Sequence, residues 1–170
     1  TGTSMSARGD FQQRLPDRIA VMFSDPKGDQ IIVDGAVAWL YLPSTNPGQV
    51  LKVPAGAGGG SLNITERFLD APTTRFKLTS AGTAMVGDRP THAVHLVPKT
   101  SIPEFSQATV WVDDSTGLIR QFEITEPSGL VRRIRMVDAR VNATLEAAAF
   151  TFTPPKGVKV IDQTGRSGGR

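Results

Sequence analysis

No cysteine occurs among the 170 residues, which excludes a disulfide framework, a thiolate metal site and a cysteine nucleophile. Histidine occurs only twice, at His92 and His95, and with no third ligand nearby a metal site is not expected. Charge of one sign is also lacking. The formal net charge is +3, and lysine and arginine are scattered without a basic run, which disfavours nucleic acid as a partner. No stretch approaches the roughly 20 apolar residues of a membrane-spanning helix. The start carries no charged segment followed by an apolar one, so an exported form would be a processed form. What is abundant is turn chemistry: 17 glycines and 12 prolines with 39% hydrophobic residues point to a turn-rich β protein.

The stretch from Ile19 to Pro43 organises the chain. Ile19 to Ser24 reads as a strand followed by the turn Asp25-Pro26-Lys27-Gly28. Gln30 to Val33 is a second strand, Asp34-Gly35 is a hairpin signal, and Ala36 to Leu42 returns until Pro43 ends it. Ala20 and Met22 alternate with Val21 and Phe23, and Trp39 and Tyr41 alternate with Ala38, Leu40 and Leu42, so both faces are apolar. Something must cover or fill the second face, and in a curved sheet it can be a cavity.

These same residues carry a resemblance. The proline-ended strand, the DPxGD-like turn, the DG hairpin and the W-x-Y-x-P strand resemble the LolA family, periplasmic carriers of outer-membrane lipoproteins. Phe150 to Ile161, FTFTPPKGVKVI, resembles that family's closing FxFxPPxGVxVI segment. The resemblance implies a mainly β fold with short helices, a curved antiparallel sheet forming an incomplete half-barrel covered by lid helices. It implies one domain over residues 1–170, with 1–8 and 163–170 flexible, acting as a periplasmic monomer. Family members place a helix and a strand before the Gly9 to Phe23 unit. Only eight residues stand there, so an exposed edge or an uncovered apolar face is expected. The family's arginine before the proline, which latches the lid, is replaced by Leu15, leaving Arg14 as a possible latch on the other face of the strand.

Along the rest of the chain, Arg8-Gly9-Asp10 spells an adhesion tripeptide and is read as a strand-entry turn. Gln49 to Val53 is a short strand and Pro54 to Gly60 a loose glycine loop without the Gly-Lys-Ser/Thr of a phosphate loop. Ser61 to Asp70 reads as a helix capped by Asn63 or Ser61, with Leu62, Ile64, Phe68 and Leu69 forming an apolar side. An ordinary plugging helix explains the pattern as well as a lid does; by the resemblance it is a lid. Arg75 to Thr79 and Thr83 to Val86 read as two strands. Thr91 to Pro98 alternates, placing His92 and His95 on opposite faces. Gln107 to Asp113, Leu118 to Glu126 and Leu130 to Asn142 form a second meander, Thr144 caps a helical turn, and Phe150 to Val160 closes the sheet.

No catalytic constellation emerges. The carboxylates Asp25, Asp34, Asp88, Asp113 and Asp114 stand at turns, no nucleophile motif occurs, and no metal or cofactor is implied, so a binding protein is expected rather than an enzyme. The resemblance supplies the ligand, the acyl chains of lipoproteins, with an inner-membrane lipoprotein-releasing transporter as donor and an outer-membrane lipoprotein acceptor as recipient. The expected acyl cavity is lined by Val21, Phe23, Leu40, Phe122, Ile124, Ile134 and Met136, under the lid residues Leu62, Ile64, Phe68 and Leu69. Glutamate at Phe68 or Ile134 is expected to weaken binding without unfolding. The alternatives are a LolA-like lipid-sensing or lipoprotein-acceptor domain with a protein partner, and a small-ligand barrel or filled structural β domain, against which the Ser61 to Asp70 segment weighs.

Overall fold

The structure, a computed structural model, describes residues 4–58, 63 and 65–166. Leu62 and Ile64 of the expected lid lie outside the described residues. The chain divides into two compact units, one of residues up to Arg67 together with those from Thr144 on, the other Phe68–Ala143. Each contains one sheet, so the mainly β class with short helices expected from sequence is what folds. Neither sheet closes into a barrel.

The first unit holds six strands in the order β1-β2-β3-β4-β5-β11. They are β1 Arg8–Arg14, β2 Arg18–Asp25, β3 Lys27–Asp34, β4 Val37–Tyr41, β5 Gln49–Pro54 and β11 Lys159–Asp162. The meander forms where the turn residues place it. At its tightest corner the Asp34 carboxylate accepts the N–H groups of Ala36 and Val37 at 3.0 and 2.9 Å, and Gly35 holds φ +103°. Asp29, 5% exposed, accepts the Ser44 N–H and hydroxyl at 3.0 and 2.5 Å, fixing the exit of β4 beside β3. The adhesion tripeptide lies within edge strand β1, where a side chain at position 9 would meet the Met22 carbonyl at 2.4 Å, not in a turn.

Both faces of this sheet are apolar, as its alternation requires. Ile19, Val21, Val33, Ala38 and Val53 form one cluster, with Phe23, Ile31 and Leu40 against it. Ala20 and Ile32 form the other, and its cover is the returning C-terminal segment: Phe150 is buried there and Phe152 rests on Trp39 and Tyr41, ring centroids 5.4 and 5.7 Å apart. Here the sequence reading needs correction. Phe150 to Val158 is not a closing strand but an irregular segment lying on a sheet face, since Pro154 and Pro155 offer no N–H to a ladder. Only β11 joins the sheet, and it pairs parallel to β5, with Lys159 opposite Gln49 and Asp162 opposite Lys52. The turn before it is a 3₁₀ turn, Ala147–Phe150, and Thr144 does not cap it.

The second unit holds β10-β9-β8-β7-β6, all antiparallel. The strands are β6 Phe76–Val86, β7 Arg89–Pro98, β8 Gln107–Asp113, β9 Ile119–Thr125 and β10 Val131–Arg135. The two expected strands around Gly82 are one, because Gly82 at φ +86° lets β6 absorb a register shift between Ser80 and Thr83 without ending. The expected strand to Asn142 stops at Arg135. Its partner β9 begins only at Ile119, after the Gly117 turn, so beyond the Met136 N–H to Arg120 carbonyl bond of 2.8 Å nothing remains to pair with. In place of one helix from Ser61 to Asp70, the described residues show a π-helical turn, Thr65–Leu69, and a separate turn, Pro72–Arg75; the glycine loop begins with a helical turn, Ala55–Gly58.

Two outcomes are expected. An added Cβ at Gly35 would meet the Asp17 carboxylate at 3.0 Å as well as strain the backbone, so Gly35→Ala should cost about 1–2 kcal/mol in urea denaturation; an unchanged midpoint would contradict this account of the corner. The Thr164 hydroxyl and N–H, with Lys52, pull the Asp162 carboxyl down to about 2 from its ordinary 3.8. A depressed carboxylate stabilises the fold above its ordinary value and loses that contribution as pH falls through about 2. Asp162→Asn should therefore flatten the acid limb of the stability profile, and an identical limb would show that β11 contributes nothing through this group.

Candidate apolar ligand-binding faces

In the second unit the strand register gathers apolar side chains on one face. Phe122 stands opposite Val110 and Ile134, Ile124 opposite Ala108, and Ala108 opposite Leu96. Phe122 is 1% exposed and Ile124 4%. The cover is aromatic: Phe68 packs on Phe122 with centroids 5.2 Å apart and on Phe105 at 6.0 Å, and Phe76 stacks on Phe105 at 5.9 Å. Apolar surface opens toward the two edge strands, at Ile134 of β10, 36% exposed, and Leu78 of β6, 38% exposed. Met136, half-buried, follows Ile134.

The opposite face is polar. Arg133 grips Glu123 through two nitrogens at 2.8 and 2.6 Å, Arg135 donates to Gln121 at 3.1 Å, and His95 meets the Thr109 hydroxyl at 3.3 Å. A sheet with one wet and one apolar face needs cover on one side only, and here Phe68 and Phe105 provide its centre.

The remaining cavity candidates, Val21, Phe23 and Leu40, share one face of the other sheet. Val21 is buried, while Phe23 and Leu40 are half-buried. The seven positions thus fall into two sets, three on the sheet of the first unit and four in the second unit, where Met136 stands just past the end of β10.

Of the lid residues, Phe68 is 2% exposed and Leu69 55%. The segment is anchored at Asn63, 6% exposed, which accepts the Gln13 side-chain amide at 2.8 Å, donates to the Pro16 carbonyl at 3.2 Å and receives the Arg67 N–H at 2.9 Å. Sequence reasoning missed this tether. Gln13 and Arg14 point to opposite sides of β1, and Arg14 donates to the Leu145 carbonyl and lies over the Phe150 ring at 5.3 Å, on the C-terminal segment. A glutamine one residue before an arginine carries no local signal of which will reach the helical turn.

A second missed feature is a buried ion pair. Asp113, its side chain fully enclosed, accepts the Arg120 Nε–H at 2.9 Å, and Arg120 is only 8% exposed. Its other oxygen takes the Ser115 hydroxyl at 2.6 Å and the Ser115 and Thr116 N–H groups at 2.9 and 3.0 Å. The Ser115 hydroxyl, outweighing burial, and then the two N–H groups and Arg120 hold the carboxyl well below the usual carboxylate range. The turn position was legible as turn chemistry; the partner seven residues on was not.

Two clefts open on the second unit. One, of about 240 Å³, lies among Arg75, Phe76, Pro98, Lys99 and Ile102. The other, of about 260 Å³, is polar and lies between Asp88, Arg89, Arg120 and residues 137–140. Neither includes any residue expected to line an acyl cavity. Among the described residues no three potential ligands converge on a metal, and no helix is long and apolar enough to cross a membrane.

Comparison with known proteins bears on this geometry. The model of the family "Outer membrane lipoprotein carrier protein LolA" matches residues 74–153, a span that contains every strand of the second sheet. An outer-membrane lipoprotein carrier protein of Pectobacterium carotovorum is 26% identical over 155 residues, covering 91% of this chain and 71% of its own. Among solved structures, an uncharacterized conserved protein from Thermus thermophilus superposes with a TM-score of 0.54 at 14% identity, covering 86% of this chain and 76% of that one, a likeness of fold. A putative outer membrane lipoprotein-sorting protein domain from Vibrio parahaemolyticus, at 15% identity over 74% of this chain and 58% of its own, gives a TM-score of 0.36, too loose to argue from. The family model and the curated relative thus agree in direction with the resemblance carried by the Ile19 to Pro43 and Phe150 to Ile161 motifs, and residues 74–153 are similar to the outer-membrane lipoprotein carrier proteins.

Proposed function

We propose that this protein binds the acyl chains of lipoproteins in the periplasm and passes them to the outer membrane, its two units serving as one carrier domain without catalysis. The observation that carries the reading is that the segment matched to the carrier family builds the second sheet, whose apolar face is plugged at its centre by Phe68 and Phe105 and exposed at its margins. Donor and recipient are an inner-membrane releasing transporter and an outer-membrane acceptor, by analogy with the carriers.

The energetics favour a plug that exchanges with cargo. Withdrawing one phenylalanine from a dry site costs about 1.5–3 kcal/mol. Each acyl methylene that enters gains about 0.8 kcal/mol, so some three methylenes offset the loss of Phe68 and the rest of the chain sets the affinity. A carrier closed by its own aromatic binds acyl chains reversibly, because release restores the Phe68 contacts. In this scheme Phe122, Ile124, Ile134 and Met136 line the acyl surface of the second unit under Phe68, and Val21, Phe23 and Leu40 form a separate apolar face in the first unit. Arg14, through the Leu145 carbonyl, holds the C-terminal segment rather than the plug.

Titration with a fluorescent acylated lipopeptide tests this reading. Phe68 is too deeply packed for a glutamate to be tolerated, so Phe68→Glu should unfold the second unit, with loss on the scale of the ~3–5 kcal/mol of a Phe→Ala change. Ile134 is the informative position because its margin is already wet. Ile134→Glu should keep the wild-type melting temperature and weaken the lipopeptide about tenfold or more, since a charge would face the entering chain. Wild-type affinity in a folded Ile134→Glu protein would remove this face from the binding site.

A further inference from the structure

The polar cleft of the second unit shares no residue with the apolar faces. It is lined by Asp88 from the turn between β6 and β7, by Arg89 at the start of β7, by Arg120 of β9, and by residues 137–140, which include Asp138 and Arg140. Arg120 decides its character. An arginine side chain carries five N–H donors, and Nε–H is committed to Asp113. Among the described residues its four terminal N–H groups meet no protein acceptor, although the side chain is 92% enclosed, 8% being exposed. No buried described side-chain nitrogen or oxygen lacks a partner, so these terminal nitrogens are open to the cleft rather than sealed in the core.

The surroundings add both signs of charge. Among the described residues Arg140 and Asp138 have no ion-pair or hydrogen-bond partner, and Arg89 meets Asp88 only at 3.9 Å. Three guanidinium groups and two carboxylates therefore face one volume of about 260 Å³, with Asp113 behind them compensating Arg120. A dianion such as free phosphate gains the arginines but meets two uncompensated carboxylates. A ligand bearing one oxyanion and one cation satisfies both sets, and the planar fork of a fixed arginine matches two oxygens of a phosphate.

We propose that this cleft binds a phosphodiester group that carries a neighbouring ammonium, the phosphate resting on Arg120 and Arg140 and the ammonium between Asp88 and Asp138. The shared chemistry belongs to a free glycerophosphoethanolamine and to the head group of the corresponding lipid. The pre-set donor is Arg120, held by Asp113 and therefore losing little side-chain entropy on binding.

The test is amide chemical-shift mapping of the full chain during titration with glycerophosphoethanolamine. Saturable shifts confined to residues 88–89, 120 and 137–140 are expected. Arg140 is exposed, so Arg140→Gln leaves the fold intact and should weaken the ligand about tenfold, the loss of one charge-assisted contact. Glycerophosphoglycerol, which lacks the ammonium, should bind about tenfold more weakly than glycerophosphoethanolamine. Sedimentation with phosphatidylethanolamine vesicles, lost in Arg140→Gln, would assign the ligand to a membrane head group. Binding of the soluble compound without sedimentation would assign it to a free phosphodiester. Absence of saturable shifts, or equal affinity in wild type and Arg140→Gln, overturns the proposal.

Discussion

Ile19, Ala20 and Val21 are consecutive and all buried, at 2%, 2% and 9% exposure, and on a strand that means opposite faces in turn. The first sheet must therefore be dry on both sides, and this constraint shapes much of the unit. A two-residue hairpin cannot supply a second layer, so the cover comes from far along the chain: Leu145, Phe150 and Phe152 return after the whole second unit and lie over Ala20, Ile32 and Trp39. Having crossed the face, the chain reaches the free edge of β5 running the same way, which is why β11 pairs parallel in an otherwise antiparallel sheet. The Arg14 guanidinium over Phe150 and the Lys52–Asp162 bridge of 3.1 Å fasten the two ends of that return.

The second sheet obeys a different rule. Its outer face is wet and laced by Glu123–Arg133 and Gln121–Arg135 contacts, so only one face needs cover. That cover is local, supplied by Phe68 from just before the sheet and Phe105 from the β7–β8 connection. Leu78 and Ile134 beside it stay partly exposed. The first unit's cover is instead the C-terminal return, which ends in a parallel strand beside β5. The two sheets are thus covered in different ways, the second by nearby aromatics and the first by a distant returning segment.

Much of this was legible residue by residue. Asp34-Gly35, Gly117 and Gly129 mark corners because positive φ leaves few other choices, and they fell where expected. The doubly apolar alternation of Ile19 to Phe23 announced a covered second face. Which segment covers it was not legible, because a contact between Ala20 and Phe150 is set by tertiary packing and leaves no trace in local periodicity. The same limit hid the Gln13–Asn63 tether, where two ordinary amides 50 residues apart meet. Strand ends failed where a partner ran out rather than where a breaker stood: β10 stops at Arg135 without any proline or glycine. Within the expected Ser61 to Asp70 helix the described residues Thr65–Leu69 form a π-helical turn, and the Asn63 side chain bonds to Gln13 and the Pro16 carbonyl.

Asp113 and Arg120 show how one pair serves structure and leaves chemistry over. The carboxylate is saturated, with one oxygen taking three donors from Ser115 and Thr116 and the other taking Arg120 Nε–H. A buried carboxylate so satisfied does not need the rest of the guanidinium, whereas an apolar residue at 113 would leave the Ser115 and Thr116 N–H groups without their acceptor. The Nε–H of Arg120 holds Asp113 while its four terminal N–H groups stand toward the polar cleft, so the structural contact and the proposed ligand contact fall on different nitrogens of one side chain.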